Sequence, residues 1–161
     1  VYHSGLGDNR FKLYLNTNQD YTNDAAAWNN TAPTSTHFTL GIDATANKSG
    51  DSFIAMLFSS ISGISSMGAY TGNGQTGSSG PFITTGFSPR FIIVKRTDTA
   101  AGYGWNVHDT TRGIDDRLRI QTDAAENTLA AFDLSSTGFR VKTNNASYNT
   151  SSGNYVYYAH A

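Results

Sequence analysis

The sequence contains no cysteine and little charge of either sign. Without cysteine the chain has no disulfide framework, no thiolate zinc site and no cysteine nucleophile. Eleven Lys and Arg stand against twelve Asp and Glu, and a net charge of −1 gives no basic surface for nucleic acid or anionic lipid. The longest apolar run, residues 53–58, is far shorter than the roughly 20 residues of a membrane-spanning helix. We therefore expect neither nucleic-acid binding nor membrane insertion.

Small polar residues and aromatic residues dominate what is present. Ser, Thr and Asn account for 51 of the 161 residues, and aromatic residues for 12%. Disordered chains combine high charge with few aromatic residues, so this composition indicates a folded protein of one domain's length. The chain opens at Val1 with neither an initiator methionine nor a signal sequence. We interpret 1–161 as a single domain and expect it to be a piece of a longer polypeptide.

Alternation of apolar and polar residues predicts short antiparallel strands separated by Gly, Asn and Ser turns. The clearest alternating segments are 11–15, 38–42, 118–121 and 139–142. Segments 53–58 and 91–94 are apolar at every position, which predicts central strands. The residues expected to face the core are Phe91, Ile93, Trp105, Val107, Leu118, Ile120, Phe139 and Val141. The predicted fold class is all-β, an antiparallel two-sheet sandwich of jelly-roll or concanavalin-like type.

An internal similarity relates the two ends of the chain. The segments at 10–13, 37–40 and 53–56 correspond to 117–120, 138–141 and 155–158 in the same order. This pattern predicts a duplication of units 7–58 and 67–160. The alternative is a chance likeness between strand-turn-strand segments of similar composition.

Six short segments carry a resemblance to a known family. They are 70–74 (YTGNG), 85–96 (TGFSPRFIIVKR), 109–113 (DTTRG), 125–126 (AE), 136–139 (STGF) and 153–161 (GNYVYYAHA). By these segments, residues 70–160 resemble a β-domain of unknown function found in structural proteins of tailed bacteriophages, especially marine phages and cyanophages. The resemblance implies a sandwich domain in a tail fibre, a tail-associated protein or a virion surface protein. It transfers no catalytic residue.

One acidic concentration is the candidate metal site. Asp115, Asp116, Asp123 and Glu126 lie close in sequence, with Asn127 beside them. Calcium prefers several hard oxygen ligands, so these side chains would suit Ca²⁺ rather than another metal. The calcium-loop pattern of alternating acidic residues before glycine is absent, and solvated or helix-capping carboxylates are the alternative. We expect no other cofactor.

Aromatic residues supply the remaining candidate sites. Trp28 and Tyr148 are candidates for stacking against a sugar ring, with core packing as the alternative for Trp28. Tyr155, Tyr157 and Tyr158 form an aromatic C-terminal stretch of the kind enriched at protein interfaces.

A catalytic site is not indicated by the sequence. His108 and Asp109 are adjacent, and adjacent residues of a strand point to opposite faces, so they do not form an acid–base pair. We therefore predict a non-enzymatic virion structural domain, located in the virion or outside the cell. It would assemble as a homo-oligomer, a trimer by the usual symmetry of phage fibres, together with other virion proteins. The alternatives are a glycan-binding module for the host surface and, behind it, a polysaccharide depolymerase or esterase.

Overall fold

The computed structural model describes residues 1–99 and 102–161 and consists mainly of antiparallel β-sheet. The strands within these residues are β1 (Phe11–Lys12), β2 (Thr22–Asn23), β3 (Ser65–Thr71), β4 (Phe82–Thr84), β5 (Phe91–Arg96), β6 (Trp105–Asp109), β7 (Gly113–Arg119), β8 (Asn127–Thr128), β9 (Phe132–Ser135), β10 (Gly138–Val141) and β11 (Asn154–His160). The helices are α1 (Ala25–Trp28) and α2 (Ala44–Asn47), with 3₁₀ turns at Ser4–Leu6 and Gly77–Ser79. The predicted all-β class is confirmed. Among the helices described, none has the length and apolar character needed to cross a membrane.

Two sheets enclose the main core. The large sheet has six strands in the order β3-β11-β5-β6-β7-β8, and the small sheet has the order β4-β10-β9. Phe139 of β10 meets Tyr157 of β11 edge to face, with ring centroids 5.6 Å apart. The buried residues of this core are Ile83, Phe87, Ile92, Val94, Ala131, Phe132, Phe139, Val141, Tyr148, Tyr155, Tyr157 and Ala159. The arrangement is sandwich-like, with the core between the sheets.

The large sheet is apolar on both of its faces at its centre. Strand β5 lies between β11 and β6, as predicted for segment 91–94. Ile92 and Val94 point into the core and have no exposed surface, whereas Phe91 and Ile93 lie half-buried on the opposite face. We call that opposite face the outer face. A strand that is apolar on both faces needs cover on both, so the outer face requires a covering layer of its own.

The predicted choice of inward face is wrong for β5 and β7, and for Val107 of β6, which is half-buried on the outer face opposite Ile93. Leu118 and Ile120 are exposed by 38% and 41%, while Arg117 of the same segment is buried. Arg117 is tolerated inside because its guanidinium donates two hydrogen bonds of 3.1 Å to the side-chain oxygen of Asn127. A buried polar group costs little when its hydrogen bonds are made, so size and hydropathy alone misassigned these faces. Trp105, Phe139 and Val141 are buried as predicted.

Residues 1–47, which include β1, β2, α1 and α2, form what we call the N-terminal region. This region covers part of the outer face. Leu13 packs with Trp105 and Val156 in a second buried cluster, and the Trp105 indole N–H donates to the carbonyl of Tyr14 at 2.8 Å. Lys95, with no exposed surface, donates to the carbonyl of Asn18 at 3.4 Å, and the N–H of Tyr21 donates to the carbonyl of Thr97 at 3.1 Å. These contacts fix the N-terminal residues over one end of the sheet.

A buried lysine organises the N-terminal region itself. The ammonium of Lys12 lies 2.7 Å from a carboxylate oxygen of Asp24 and 2.5 Å from one of Asp43. Those two aspartates also cap α1 and α2 by accepting from the backbone N–H groups of Ala26 and Thr45. Burial alone would raise the pKa of Asp43, but hydrogen bonds from Lys12 and Thr45 outweigh it and lower that pKa to about 2. One cation therefore joins both helix caps to β1.

Two predicted strands are not formed. Residues 38–42 lie against α1 instead, where the N–H of Gly41 donates to the carbonyl of Ala27 and the N–H of Asp43 to that of Ala26. Residues 53–58 carry no strand either and are exposed, and no described strand pairs with their backbone. The duplication of 7–58 and 67–160 requires strands at both places, and the structure lends it no support there.

Truncating the core should be far more costly than truncating an exposed ring. Phe139→Ala removes a ring with no exposed surface and should lower the free energy of unfolding by about 3–5 kcal/mol. Phe82→Ala is the matched control, since Phe82 of the small sheet is 40% exposed, and it should cost about 1 kcal/mol or less. Urea denaturation at neutral pH measures both. Equal losses would show that the core is not centred on Phe139.

Candidate interaction surface

Five apolar side chains form a row across the outer face of the large sheet. The strand register places Tyr158 directly opposite Met67 on one side and Ile93 on the other. Ile93 lies opposite Val107, which lies opposite Leu118. Directly opposed residues of paired strands project to the same face. We call these five residues the apolar row; it runs perpendicular to the strands from β3 to β7.

The apolar row borders the area that the N-terminal region buries, since Ile93 packs against the cluster of Leu13, Trp105 and Val156. All five side chains keep some solvent exposure, and Leu118 is 38% exposed. Phe91 continues the apolar surface beside Tyr158, with ring centroids 6.4 Å apart. On the other side Phe58 meets the Tyr158 ring edge-on at 5.2 Å. The outer face is thus apolar where it is open.

An exposed stretch of chain lies next to this face. We call residues 53–64 the apolar segment. Its large apolar side chains are exposed by 48–94%, namely Phe53, Ile54, Met56, Leu57, Phe58, Ile61 and Ile64. Single exposed apolar residues are normal on a protein surface, but a contiguous group of this size marks an interaction site.

A tight turn holds the apolar segment at the edge of the sheet. Ile61 and Ser65 form a β-bridge across a turn in which Gly63 has a φ of +73°, a conformation that suits glycine. The hydroxyl of Ser65 donates to the carbonyl of Ser59 at 2.7 Å, and the N–H of Met67 donates to the hydroxyl of Ser60 at 2.9 Å. The residues before Ser59 therefore leave the sheet beside β3, its edge strand, and stay exposed.

The aromatic C-terminal stretch only partly lies on this surface. Tyr155 and Tyr157 are 1% and 7% exposed and belong to the core, so the prediction that they lie at an interface is wrong. The hydroxyl of Tyr155 donates to the carbonyl of Ala146 at 2.9 Å, which ties it inside the chain. Tyr158 alone lies on the outer face, as a member of the apolar row. Alternation along β11 puts these side chains on opposite faces.

The two aromatic residues predicted to stack on a ligand are both engaged within the chain. Tyr148 has no exposed surface, so the prediction that it binds a ligand is wrong. Trp28 is half-buried; its indole N–H donates to the carbonyl of Phe11 at 3.2 Å, and its ring meets Tyr2 edge-on at 5.9 Å. Trp28 is thus held within the N-terminal region by these two contacts.

The acidic residues predicted as calcium ligands are dispersed among other partners. Glu126 pairs with Arg112, whose guanidinium also lies 2.6 Å from a carboxylate oxygen of Asp109. Asp116 accepts from the hydroxyl of Thr128 at 3.1 Å. Asp115 lies 3.7 Å from the ammonium of Lys142. Asp123 is exposed in the turn after β7. Within 1–99 and 102–161, no three His, Asp or Glu side chains are grouped to hold a metal ion.

A groove of about 400 Å³ lies between the N-terminal region and β3, and the sequence did not indicate it. Phe11 and Tyr21 stack in its wall with ring centroids 4.2 Å apart, and Tyr21 is 38% exposed. Thr71, Thr97 and Asn154 contribute polar groups to the lining. Phe11 lies in a predicted strand, whereas Tyr21 stands in a polar stretch that carries no periodicity.

His108 points into the core and not toward Asp109. Its Nε2 lies 2.7 Å from the Tyr148 hydroxyl and its Nδ1 lies 2.8 Å from the carbonyl of Ile114. A carbonyl only accepts, so Nδ1 carries the proton and donates, and Nε2 accepts from Tyr148. Desolvation is the main cause that lowers the pKa of His108 to about 4, with Arg117 lowering it further. The neutral imidazole joins β6 to the core.

The fold and its surfaces define an all-β domain with a large sheet that is open over part of one face. The chain belongs to the family described as Domain of unknown function (DUF7483), whose model matches residues 1–161. One family model therefore spans the whole chain. No curated protein and no solved structure matches it.

Acid should destabilise the fold through His108. In the unfolded chain His108 has an ordinary histidine pKa of about 6.5, whereas in the folded chain its pKa is about 4. Between these two pH values the unfolded chain binds a proton at His108 that the folded chain does not bind. Stability present above pH 6.5 is therefore lost as the pH falls, by up to about 3 kcal/mol for a pKa difference of this size. Urea denaturation between pH 7 and pH 4 measures this loss.

His108→Gln should flatten that part of the pH profile while lowering stability at pH 7, where the His108 hydrogen bonds are intact. His37→Gln, at an exposed histidine, is the matched control and should leave the wild-type profile unchanged. Identical slopes for wild type and His108→Gln would contradict the buried neutral imidazole.

Proposed function

We propose that this chain is a non-enzymatic structural domain of a tailed-phage virion, where it assembles with copies of itself and with other virion proteins. The observation that carries the proposal is the apolar segment, whose seven large apolar side chains are 48–94% exposed beside the apolar row of the large sheet. Soluble monomers rarely leave an apolar surface of this extent open, and such surfaces mark assembly sites. The resemblance of residues 70–160 to phage structural domains supports the location, in a tail fibre, a tail-associated protein or a capsid appendage.

The fold type belongs to the same proposal. A large and a small antiparallel sheet that face each other across an aromatic core are consistent with a jelly-roll or concanavalin-like sandwich. Domains of this type serve as rigid building blocks, since the core fixes the sheets and the outer surfaces are free to vary. A trimer is the proposed assembly, with a location in the virion or outside the cell.

The residue contacts favour a structural role over hydrolysis. His108 is buried in the core and hydrogen-bonds to Tyr148. The carboxylate of Asp109 accepts hydrogen bonds from the guanidinium of Arg112 and from two backbone N–H groups. Both residues therefore stabilise the fold where a hydrolase would need them free to reach a substrate.

The chain should form oligomers through its outer face. Light scattering and sedimentation velocity at micromolar concentration should give a mass of several copies, with a trimer expected. Leu118→Glu places a charge in the apolar row at an exposed position, so it should leave the monomer folded and weaken association by about 100-fold.

Thr84→Glu is the matched control for that variant. Thr84 is exposed on the small sheet, away from the outer face, and its variant should associate as the wild type does. A wild-type chain that stays monomeric at every concentration would contradict the proposed function.

The groove beside Tyr21 favours a second function, glycan binding at the host surface. An exposed aromatic ring face next to hydroxyl and amide groups suits a sugar, which offers an apolar face and a polar edge. This function is compatible with a virion location, because attachment domains meet host glycans there.

Glycan binding should depend on Tyr21. In a screen against neutral glycans followed by calorimetry, Tyr21→Ala should weaken binding about tenfold by removing the stacking surface. Phe82→Ala, which alters an exposed ring on the small sheet, should bind as the wild type does. If no glycan binds, or if the two variants bind with equal affinity, the proposal that the groove binds a glycan is wrong.

A further inference from the structure

We propose that residues 53–58 of a second copy cover the apolar row, so that the copies exchange this part of the apolar segment between them. The inference rests on the proposed function, since it names the contact by which copies of the chain associate. The two surfaces involved are the exposed apolar segment and the half-buried apolar row, and each can supply cover that the other lacks.

The exposed area fits an interface between two protein chains. At about 200 Å² for a fully exposed large apolar residue, the five large apolar side chains of residues 53–58 leave roughly 700 Å² open. The largest apolar patch of a typical monomer is about 300–600 Å². A specific complex buries about 800 Å² on each partner. The apolar area of residues 53–58 therefore exceeds what a free monomer exposes and comes close to what one partner of a complex contributes.

The dimensions of the two surfaces agree. Six residues in an extended conformation span about 20 Å, at about 3.3 Å per residue. The apolar row crosses five neighbouring strands, and four spacings of about 4.8 Å give about 19 Å. Residues 53–58 can thus lie along the whole row with one side of the segment against it.

Neither the apolar segment nor the apolar row carries a charged residue, so the contact between them can exclude water. No charged residue occurs between Asp51 and Arg90, so the whole apolar segment can leave water without burying an ion. The members of the apolar row are likewise uncharged. With a net charge of −1, two copies repel each other little as they approach.

The contact is made between copies because, among the ring contacts of the described residues within one copy, the segment reaches its own row at Tyr158 alone, while its other large side chains stay exposed. Ser59 and Ser60 are held against Ser65 and Met67, so the preceding residues leave at the β3 edge. Phe58 reaches Tyr158, and the side chains before it remain exposed, with Ile54 at 94% and Leu57 at 74%.

A cross-linking experiment tests the contact directly, because the natural chain has no cysteine to interfere. A Leu57→Cys variant and a Leu118→Cys variant, carrying tags of different mass, are mixed under mild oxidation. We expect a disulfide-linked pair that contains one chain of each tag. Ile42→Cys, which replaces a side chain exposed by 88% outside the apolar segment, is the matched control and should not link to Leu118→Cys.

A second measurement addresses strength. The double variant Ile54→Asp, Leu57→Asp should raise the dissociation constant by about 100-fold in sedimentation velocity, since Ile54 and Leu57 lie on opposite sides of the extended segment and one of the two charges must enter the contact with the apolar row. Ile42→Asp should leave it unchanged. Both positions of the double variant are exposed in the single copy, so the diluted monomer should keep the wild-type thermal midpoint.

The outcomes separate the two proposals. A wild type that stays monomeric overturns the exchange and the proposed self-assembly together. A wild type that associates, but without a Leu57–Leu118 cross-link and without an effect of the double variant, overturns the exchange alone. Self-assembly then proceeds through another face, and the apolar row is left to a further segment of the parent polypeptide or to a different virion protein.

Discussion

The structure depends on one constraint: the central strands of the large sheet are apolar on both faces. In β5 the side chains of Ile92 and Val94 point one way while Phe91 and Ile93 point the other. One face is covered by the small sheet, through a core built around Phe139. The other face needs a separate layer, and the N-terminal region provides it over one end only. The part of the outer face that the N-terminal region leaves uncovered is the apolar surface on which the proposed association of copies depends.

The sequence predicted those strands that are rich in β-branched and aromatic residues and that also pair with another strand of the same chain. Strands β5, β6, β10 and β11 combine aromatic and β-branched residues with turn signals at their ends, and each has a partner in the fold. Residues 53–58 carry an equally strong apolar pattern and form no strand. Hydropathy shows that a segment needs cover, but it does not show whether the cover comes from the same chain.

The inner face of the large sheet shows a second limit of the pattern. His108, Asn106 and Arg117 point into the domain although apolar neighbours alternate with them. Their hydrogen bonds to Tyr148, Gly104 and Asn127 are made inside, so their burial costs little. These bonds run to the preceding loop for Asn106, to the next strand for Arg117 and to a residue 40 positions away for His108, and alternation along one strand contains no information about any of these partners. For the same reason Tyr148 and the Tyr21 groove could not be placed from the sequence.

The pattern of residues 53–58 also bears on the symmetry of an assembly. Phe53, Ala55 and Leu57 alternate with Ile54, Met56 and Phe58, so an extended segment is apolar on both sides. An apolar row of a neighbouring copy covers one side only. In a closed ring of three copies, the uncovered sides of the three 53–58 segments can pack against each other near the symmetry axis. In a dimer, the two exchanged segments lie far apart, and the uncovered side of each remains in water. The need for cover on both sides of the segment, which is the same constraint that governs β5, therefore favours a trimer over a dimer.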